Sequence, residues 1–230
     1  MRSLAALVRA AVLAGLIAGA AAAGFHWFFT EPVIERAIKT EDLARAPEKQ
    51  PTKEVVSRRT QQLGLILGFL LYGGVCGLLF GALYRLLHPW VPAWNDARGG
   101  FVVALILGWS ISLFPFLKYP ANPPGVGEAE TIGYRQALYL AFMGFTLIGT
   151  LAAFWFQRRL SRRGWGWPIA LSVYIAYLAV IYLAMPANPD PVKMPAEVVW
   201  TFRALSLSGL VLFWGVMGGV FQWLSSVNRH

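Results

Sequence analysis

The chain has 230 residues, of which 57% are apolar and 13% charged, with a net charge of +9. An ordinary soluble domain is about 45–50% apolar and about a quarter charged, so too few charges remain here to cover a water-exposed surface. This excludes a soluble globule, and the basic excess has to be located along the chain before it is read as affinity for nucleic acid.

Six apolar stretches, residues 10–29, 63–84, 101–117, 137–156, 168–185 and 204–224, contain no Asp, Glu, Lys or Arg and a single histidine, His26. A hydrocarbon core of about 30 Å takes about 20 helical residues to cross. The chain is therefore expected to be all-α: one integral membrane domain over 1–230, a polytopic bundle of about six transmembrane helices. Small residues Ala20–Ala23 would suit signal-peptide cleavage, but the apolar run continues through Trp27, Phe28 and Phe29. That length favours a retained first span over a cleaved h-region.

The connection over 30–62 opens with Glu31-Pro32, where a short helix can restart, because proline is tolerated in a first turn. Pro47 and Pro51 mark a break, and Thr52 to Gln62 has the composition of a helix leading into the second span. If both termini face the cytoplasm, that side holds nine arginines against one acid, Asp96, and a charge of +8. The other side holds eleven bases against ten acids, or +1. The loop Gln157–Trp167, with four arginines, is the clearest positive-inside signal. The basic charge is thus expected to set orientation rather than to bind nucleic acid.

Two outer connections share a tetrapeptide, Pro120-Ala121-Asn122-Pro123 and Pro186-Ala187-Asn188-Pro189, and each is followed by an arginine before the next apolar run, Arg135 and Arg203. Arg59 holds a comparable place before the second span. This points to three tandem hairpins in one orientation, related by an axis along the membrane normal. The arginines would cap helices or anchor at headgroups, or else pair with Glu54, Glu130 and Glu197 inside the bundle. Gly15/Gly19, Gly64/Gly68, Gly73/Gly77/Gly81 and Gly215/Gly219 repeat at four-residue spacing, which in lipid lets backbones approach and implies a compact bundle or a homo-oligomer.

A titratable residue within a span is costly and points to a pathway or ligand site unless it is hydrated near the interface, so His26 stands out. Imidazole binds Co, Ni, Zn, Cu and Fe well, and Glu31 and Glu35 follow within three turns. The proline loops either are rigid turns or leave free carbonyls that ligate a cation. Asn122 and Asn188 add amide oxygens there, and Glu128, Glu130 and Asp190 add carboxylates. His88 and His230 fall at loop or terminal positions. The lone cysteine, Cys76, provides neither a disulfide nor a thiolate cluster. No phosphate loop, His-Glu-x-x-His or Gly-x-Ser-x-Gly motif occurs, so nothing supports an enzyme.

The segment Lys118-Tyr119-Pro120-Ala121-Asn122-Pro123-Pro124-Gly125-Val126-Gly127 resembles the signature of the CbtA family, the probable cobalt transporter subunits. The beginning is similar too: Ala14-Gly15-Leu16-Ile17-Ala18-Gly19 leads to His26 and then to Glu31-Pro32-Val33-Ile34. The resemblance runs from the first span through the sixth. It implies an inner-membrane protein that takes up cobalt for cobalamin synthesis together with CbtB, a small single-span partner with a histidine-containing tail. It assigns no residue to a cobalt site. On this reading cobalt(II) is cargo rather than a resident cofactor. It would pass from the outer side to His26 with Glu31 or Glu35 and to oxygens of Asn122, Glu128, Glu130, Asn188 and Asp190. The alternative is a non-transporting membrane scaffold or assembly protein whose loops bind another protein.

Overall fold

The structure, a computed structural model, describes residues 3–45, 56–87, 99–160 and 166–227. Its helices are α1 (Leu4–Phe25), α2 (Glu31–Arg45), α3 (Arg58–Leu87), α4 (Gly99–Gly108), α5 (Phe114–Lys118), α6 (Ile132–Leu160), α7 (Gly166–Ala184) and α8 (Ala196–Val227). Among the described residues six segments are long and apolar enough to cross a membrane: Leu4–Leu43, Arg58–Leu87, Gly99–Lys118, Ala129–Leu160, Gly166–Ala184 and Ala196–Ser226. The chain is a multi-pass membrane protein with an all-helical architecture.

The first span does not stop at Glu31-Pro32. α1 continues into α2 through a π turn, His26–Thr30, in which the Glu31 N–H reaches the His26 carbonyl. The third span has the same device: the π turn Trp109–Leu113 joins α4 to α5, and the Phe114 N–H reaches the Trp109 carbonyl. In both places a proline, Pro32 or Pro115, stands two residues beyond the turn. Proline lacks the N–H and crowds the preceding turn, and a widened turn relieves both without ending the helix. The helix break expected near Pro47 and Pro51 lies outside the described residues.

α1 packs tightly between two neighbours. Ser3 caps it, its Oγ accepting from the Ala6 N–H at 3.2 Å. Ala11, Ala14, Ala18 and Ala22 are wholly buried, and α1 packs most extensively on α3 and then on α8. A side chain on Gly15 would strike the Gly73 carbonyl, one on Gly73 the Gly15 carbonyl, and one on Gly77 the Ala11 carbonyl. The two backbones touch, which only glycine permits. Gly64, Gly68, Gly215 and Gly219 share that spacing but face open space, so four-residue spacing alone does not mark a contact.

α8 lays Phe213, Trp214, Met217 and Phe221, all essentially inaccessible, against α1 and α4. Its Gln222 amide oxygen accepts from the Gly100 N–H at 3.0 Å. α7 leans on α6, where Gly149 lies under the Tyr177 ring and the Tyr177 hydroxyl donates to the Phe145 carbonyl at 2.9 Å. The contacts between spans do not follow chain order throughout. The first two spans pack together, the third packs on the sixth as well as the fourth, and the fifth packs on the fourth.

If the α1–α3 seam rests on backbone contact, Gly73→Val should destabilise the detergent-solubilised chain by about 1–3 kcal/mol, the usual cost of overpacking. Gly64→Ala should stay within about 0.5 kcal/mol. Thermal unfolding of the two variants measures the difference.

Candidate functional site

The two proline loops lie side by side and are tied by residues from opposite units. After α5, prolines at 120, 123 and 124 withhold backbone donors, and Gly125 and Gly127 turn the chain with φ of 80° and 99°, a region closed to most side chains. Tyr119 donates to the Pro186 carbonyl at 2.7 Å and Lys118 to the Tyr182 carbonyl at 2.7 Å. Burial, with Tyr134 adding to it, pushes the Tyr119 phenol above its ordinary value.

Two arginines complete the clasp. Arg135, at the start of α6, reaches Asp190 of the second loop with Nε 3.1 Å from Oδ2. The same oxygen accepts from Thr131 Oγ1 at 2.7 Å and from the Glu128 N–H at 3.1 Å. The Asp190 side chain is only 3% exposed, and a buried carboxylate needs this set of donors and a countercharge. Arg203, on α8, donates to Asn122 Oδ1 of the first loop at 2.8 Å and lies over the Trp200 ring. Asn188 Oδ1 accepts from the Asp190 N–H at 3.1 Å, closing a local turn. A third arginine, Arg58, pairs with Glu31. The expected arginine at this place, Arg59, is exposed instead, because one residue turns the side chain about 100° around a helix.

Beneath the clasp lie two neighbouring cavities. The outer, about 610 Å³, is lined by Asn122, Arg135, Gln136 and Asn188 among others. The inner, about 710 Å³, contains His26, Thr30, Tyr72 and Ser206, with Phe69, Phe116, Phe202 and Phe213 as walls. Tyr119 and Tyr139 line both, so the two phenols stand at the boundary.

His26 is held on three sides. Its Nδ1 shares a hydrogen bond of 2.8 Å with Thr30 Oγ1, one turn on. Its ring stacks on Phe69 at 4.8 Å and meets the edge of Phe25. Gly209 of α8 leaves room for the imidazole, since a side chain there would collide with Nε2. With Nδ1 on Thr30, Nε2 is the ring atom that packs against Gly209 of α8. Fixing one nitrogen sets the tautomer and orientation of the other.

Farther along the third span, the π turn buries Ser110 and Ser112. Ser112 Oγ accepts from Trp214 Nε1 at 2.9 Å, while Ser110, Thr150 and Tyr174 form a hydroxyl chain with 2.8 Å steps.

The structure brings some of the expected residues together and separates others. Asn122 and Asn188 line the outer cavity. Asp190 and the Glu128 backbone belong to the clasp above it, while the Glu128 carboxylate is exposed, 3.7 Å from Lys193 Nζ. Glu130 and Glu35 are exposed, and Glu31 is buried against Arg58. Among the described residues no group of three or more His, Cys, Asp or Glu side chains is placed to hold a metal ion. Glu54, His88 and His230 lie outside the described residues. Sequence reasoning missed Tyr119, Tyr139, Ser206 and Thr30. Arg135 and Tyr139 stand at i, i+4 on α6, and Thr30 at i+4 from His26, so helical phase carried the signal.

A family model described as "Probable cobalt transporter subunit (CbtA)" matches residues 4–226. No curated protein and no solved structure matches the chain.

Removing Asp190 leaves a three-quarters-buried Arg135 guanidinium without its countercharge. Asp190→Ala should therefore cost about 2 kcal/mol in thermal unfolding, less than the ~3–5 of a wholly buried pair because Arg135 keeps some water. The apolar double variant Arg135→Met with Asp190→Leu should recover part of the loss.

Proposed function

Because the chain belongs to the CbtA family of probable cobalt transporter subunits, we propose that it is the membrane subunit of a cobalt(II) importer supporting cobalamin synthesis. It acts with a small single-span, histidine-containing partner and as a transporter rather than an enzyme. The observation that supports this reading is the pair of cavities meeting at Tyr119 and Tyr139, the inner one lined by the histidine of the apolar stretches.

Orientation comes from the arginines. Arg9, Arg85, Arg158 and Arg159 sit at one set of helix ends, which by the positive-inside rule is cytoplasmic. The proline loops then face outward. In this scheme the exposed carboxylates Glu35, Glu128 and Glu130 raise the local concentration of cations at the rim. Asn122 and Asn188 offer amide oxygens in the outer cavity, and His26 meets the ion in the inner one. Asp190 and Glu31 hold Arg135 and Arg58, keeping those positive charges neutralised near the path. A membrane potential of ~100 mV favours inward movement of a dication by about 4.6 kcal/mol.

Radiolabelled cobalt uptake in cells expressing the chain, with and without the partner, tests the reading. Uptake above background is expected, and His26→Ala should lower it about tenfold, the worth of one hydrogen bond to a charged group. Absence of uptake with the protein present in the membrane would overturn the importer in favour of a scaffold. Unchanged uptake in His26→Ala would remove His26 from the path and leave the importer standing.

A further inference from the structure

The inner cavity changes character with depth. Apart from Tyr72, its polar side chains sit near the end of the spans that carries the proline loops. Tyr139 and Ser206 are each the third residue of their apolar stretches, and His26 is the fourth from the end of its own. Tyr72 and Phe213 are each the tenth residue of theirs, about 10 Å deeper at 1.5 Å per residue. Between those levels the walls include Gly68, Phe69 and Leu210. A hydrocarbon core of about 30 Å gives each leaflet about 15 Å. The cavity thus runs through most of one leaflet and does not reach the other.

The cavity also opens sideways. α3 packs on α1 and only lightly on α4, so Gly68 is exposed and a side chain on it would meet nothing. Toward the loops, where the outer cavity begins at Tyr119 and Tyr139, the lining turns to amides and a guanidinium: Asn122, Gln136, Asn188 and Arg135. Arg135 stands one turn above Tyr139 on α6, and Arg203 three residues above Ser206 on α8. Asp190 neutralises Arg135, whereas the partners of Arg203 are the uncharged Asn122 and the Trp200 ring. Among the described residues no carboxylate pairs with Arg203, so a positive charge without a countercharge stands behind Asn122. A cation above, hydroxyls at the edge of the hydrocarbon and apolar walls below match the three parts of a phospholipid. Phosphate attracts a guanidinium, ester carbonyls accept from hydroxyls, and an acyl chain covers apolar walls.

We propose that the two cavities together hold one phospholipid from the leaflet on the proline-loop side. Its phosphate lies at Arg203 and Asn122, its ester carbonyls at the Tyr139 and Ser206 hydroxyls, and an acyl chain along Phe69 and Phe213. A wholly apolar occupant would offer those hydroxyls no acceptor, which is costly in hydrocarbon. A transmembrane helix would cover the walls but bring no phosphate to Arg203. The site is independent of the importer reading. On that reading the lipid fills the inner cavity at rest and leaves before cargo reaches His26.

Native mass spectrometry of the full chain, purified in detergent and stripped of lipid, tests this with two probes. Dioleoyl phosphatidylglycerol carries the phosphate, and dioleoylglycerol has the same chains and esters without it. One phosphatidylglycerol should bind per chain, about tenfold tighter than dioleoylglycerol, the worth of one hydrogen bond to a charged group. Arg203→Gln should erase that preference, and Arg203→Lys should keep part of it. Gly68→Phe sets a ring in the cavity from a position that touches no wall. It should weaken both lipids about tenfold, as for the loss of two buried methylenes, with an unchanged melting temperature in lipid-free detergent. Tyr139→Phe removes only a hydroxyl and should weaken both about fivefold, and it serves where Gly68→Phe does not fold. Equal binding of the two lipids, or undiminished binding to the cavity variants, would overturn the proposal. Complete displacement of phosphatidylglycerol by excess inorganic phosphate would overturn it too, as would a lipid-free dimer, which would give the cleft to a second copy of the chain. Cobalt uptake is measured apart from these titrations, so loss of the lipid site leaves the importer reading standing, and loss of uptake leaves the lipid site.

Discussion

The contact between the backbones of α1 and α3 sets the register on which the rest of the bundle is built. Gly15 and Gly73 each occupy the place where the other's side chain would be, and a side chain on Gly19 would strike the Phe69 carbonyl. That register brings Phe69 under His26, ring on ring. It also leaves α8 to fill the remaining face of α1 with Phe213, Trp214 and Met217, and its Gly209 comes to lie beside the imidazole. In lipid, apolar side chains gain little by leaving one apolar medium for another, so close packing and internal polar contacts have to supply the association. The glycine seam does so over the length of the first two spans.

The two π turns are the second consequence of the medium. A backbone polar group facing hydrocarbon costs several kcal/mol, and a proline within a span removes one donor. Here Pro32 and Pro115 are absorbed by a widened turn just before them. The same widening redirects side chains. One turn carries His26 to the chamber, and the other buries Ser110 and Ser112, which bond to Thr150 and to Trp214. Accommodation of a helix breaker and placement of polar groups inside the bundle are thus one event.

The outer clasp shows how little of the site was legible locally. The repeated Pro-Ala-Asn-Pro and the arginine after it were visible, and the expectation was a helix cap or headgroup anchor, with pairing to Glu130 and Glu197 as the alternative. The bonds run between units instead: Arg135 of one to Asp190 of the next, Arg203 back to Asn122. Both glutamates stay exposed. Which partner an arginine finds depends on how the loops lie against one another, and nothing in the local spacing encodes that. The phenols at 119 and 139 were equally hidden, because a tyrosine at a helix end reads as an interfacial anchor until two cavities are seen on either side of it.

The sequence by itself determined the six spans, the charge asymmetry between the two sides and the family, because hydropathy, charge and motif are properties of single segments and the bilayer acts on each segment separately. It also singled out His26, since an ionisable group among so many apolar residues needs no partner to be conspicuous. The tertiary structure decided which glycines touch, which arginine meets which carboxylate, and that the histidine faces a chamber walled by aromatic rings. Those outcomes depend on the rotational phase of each helix and on its choice of neighbour. Both are settled only when all six spans compete for the same few close-packed faces.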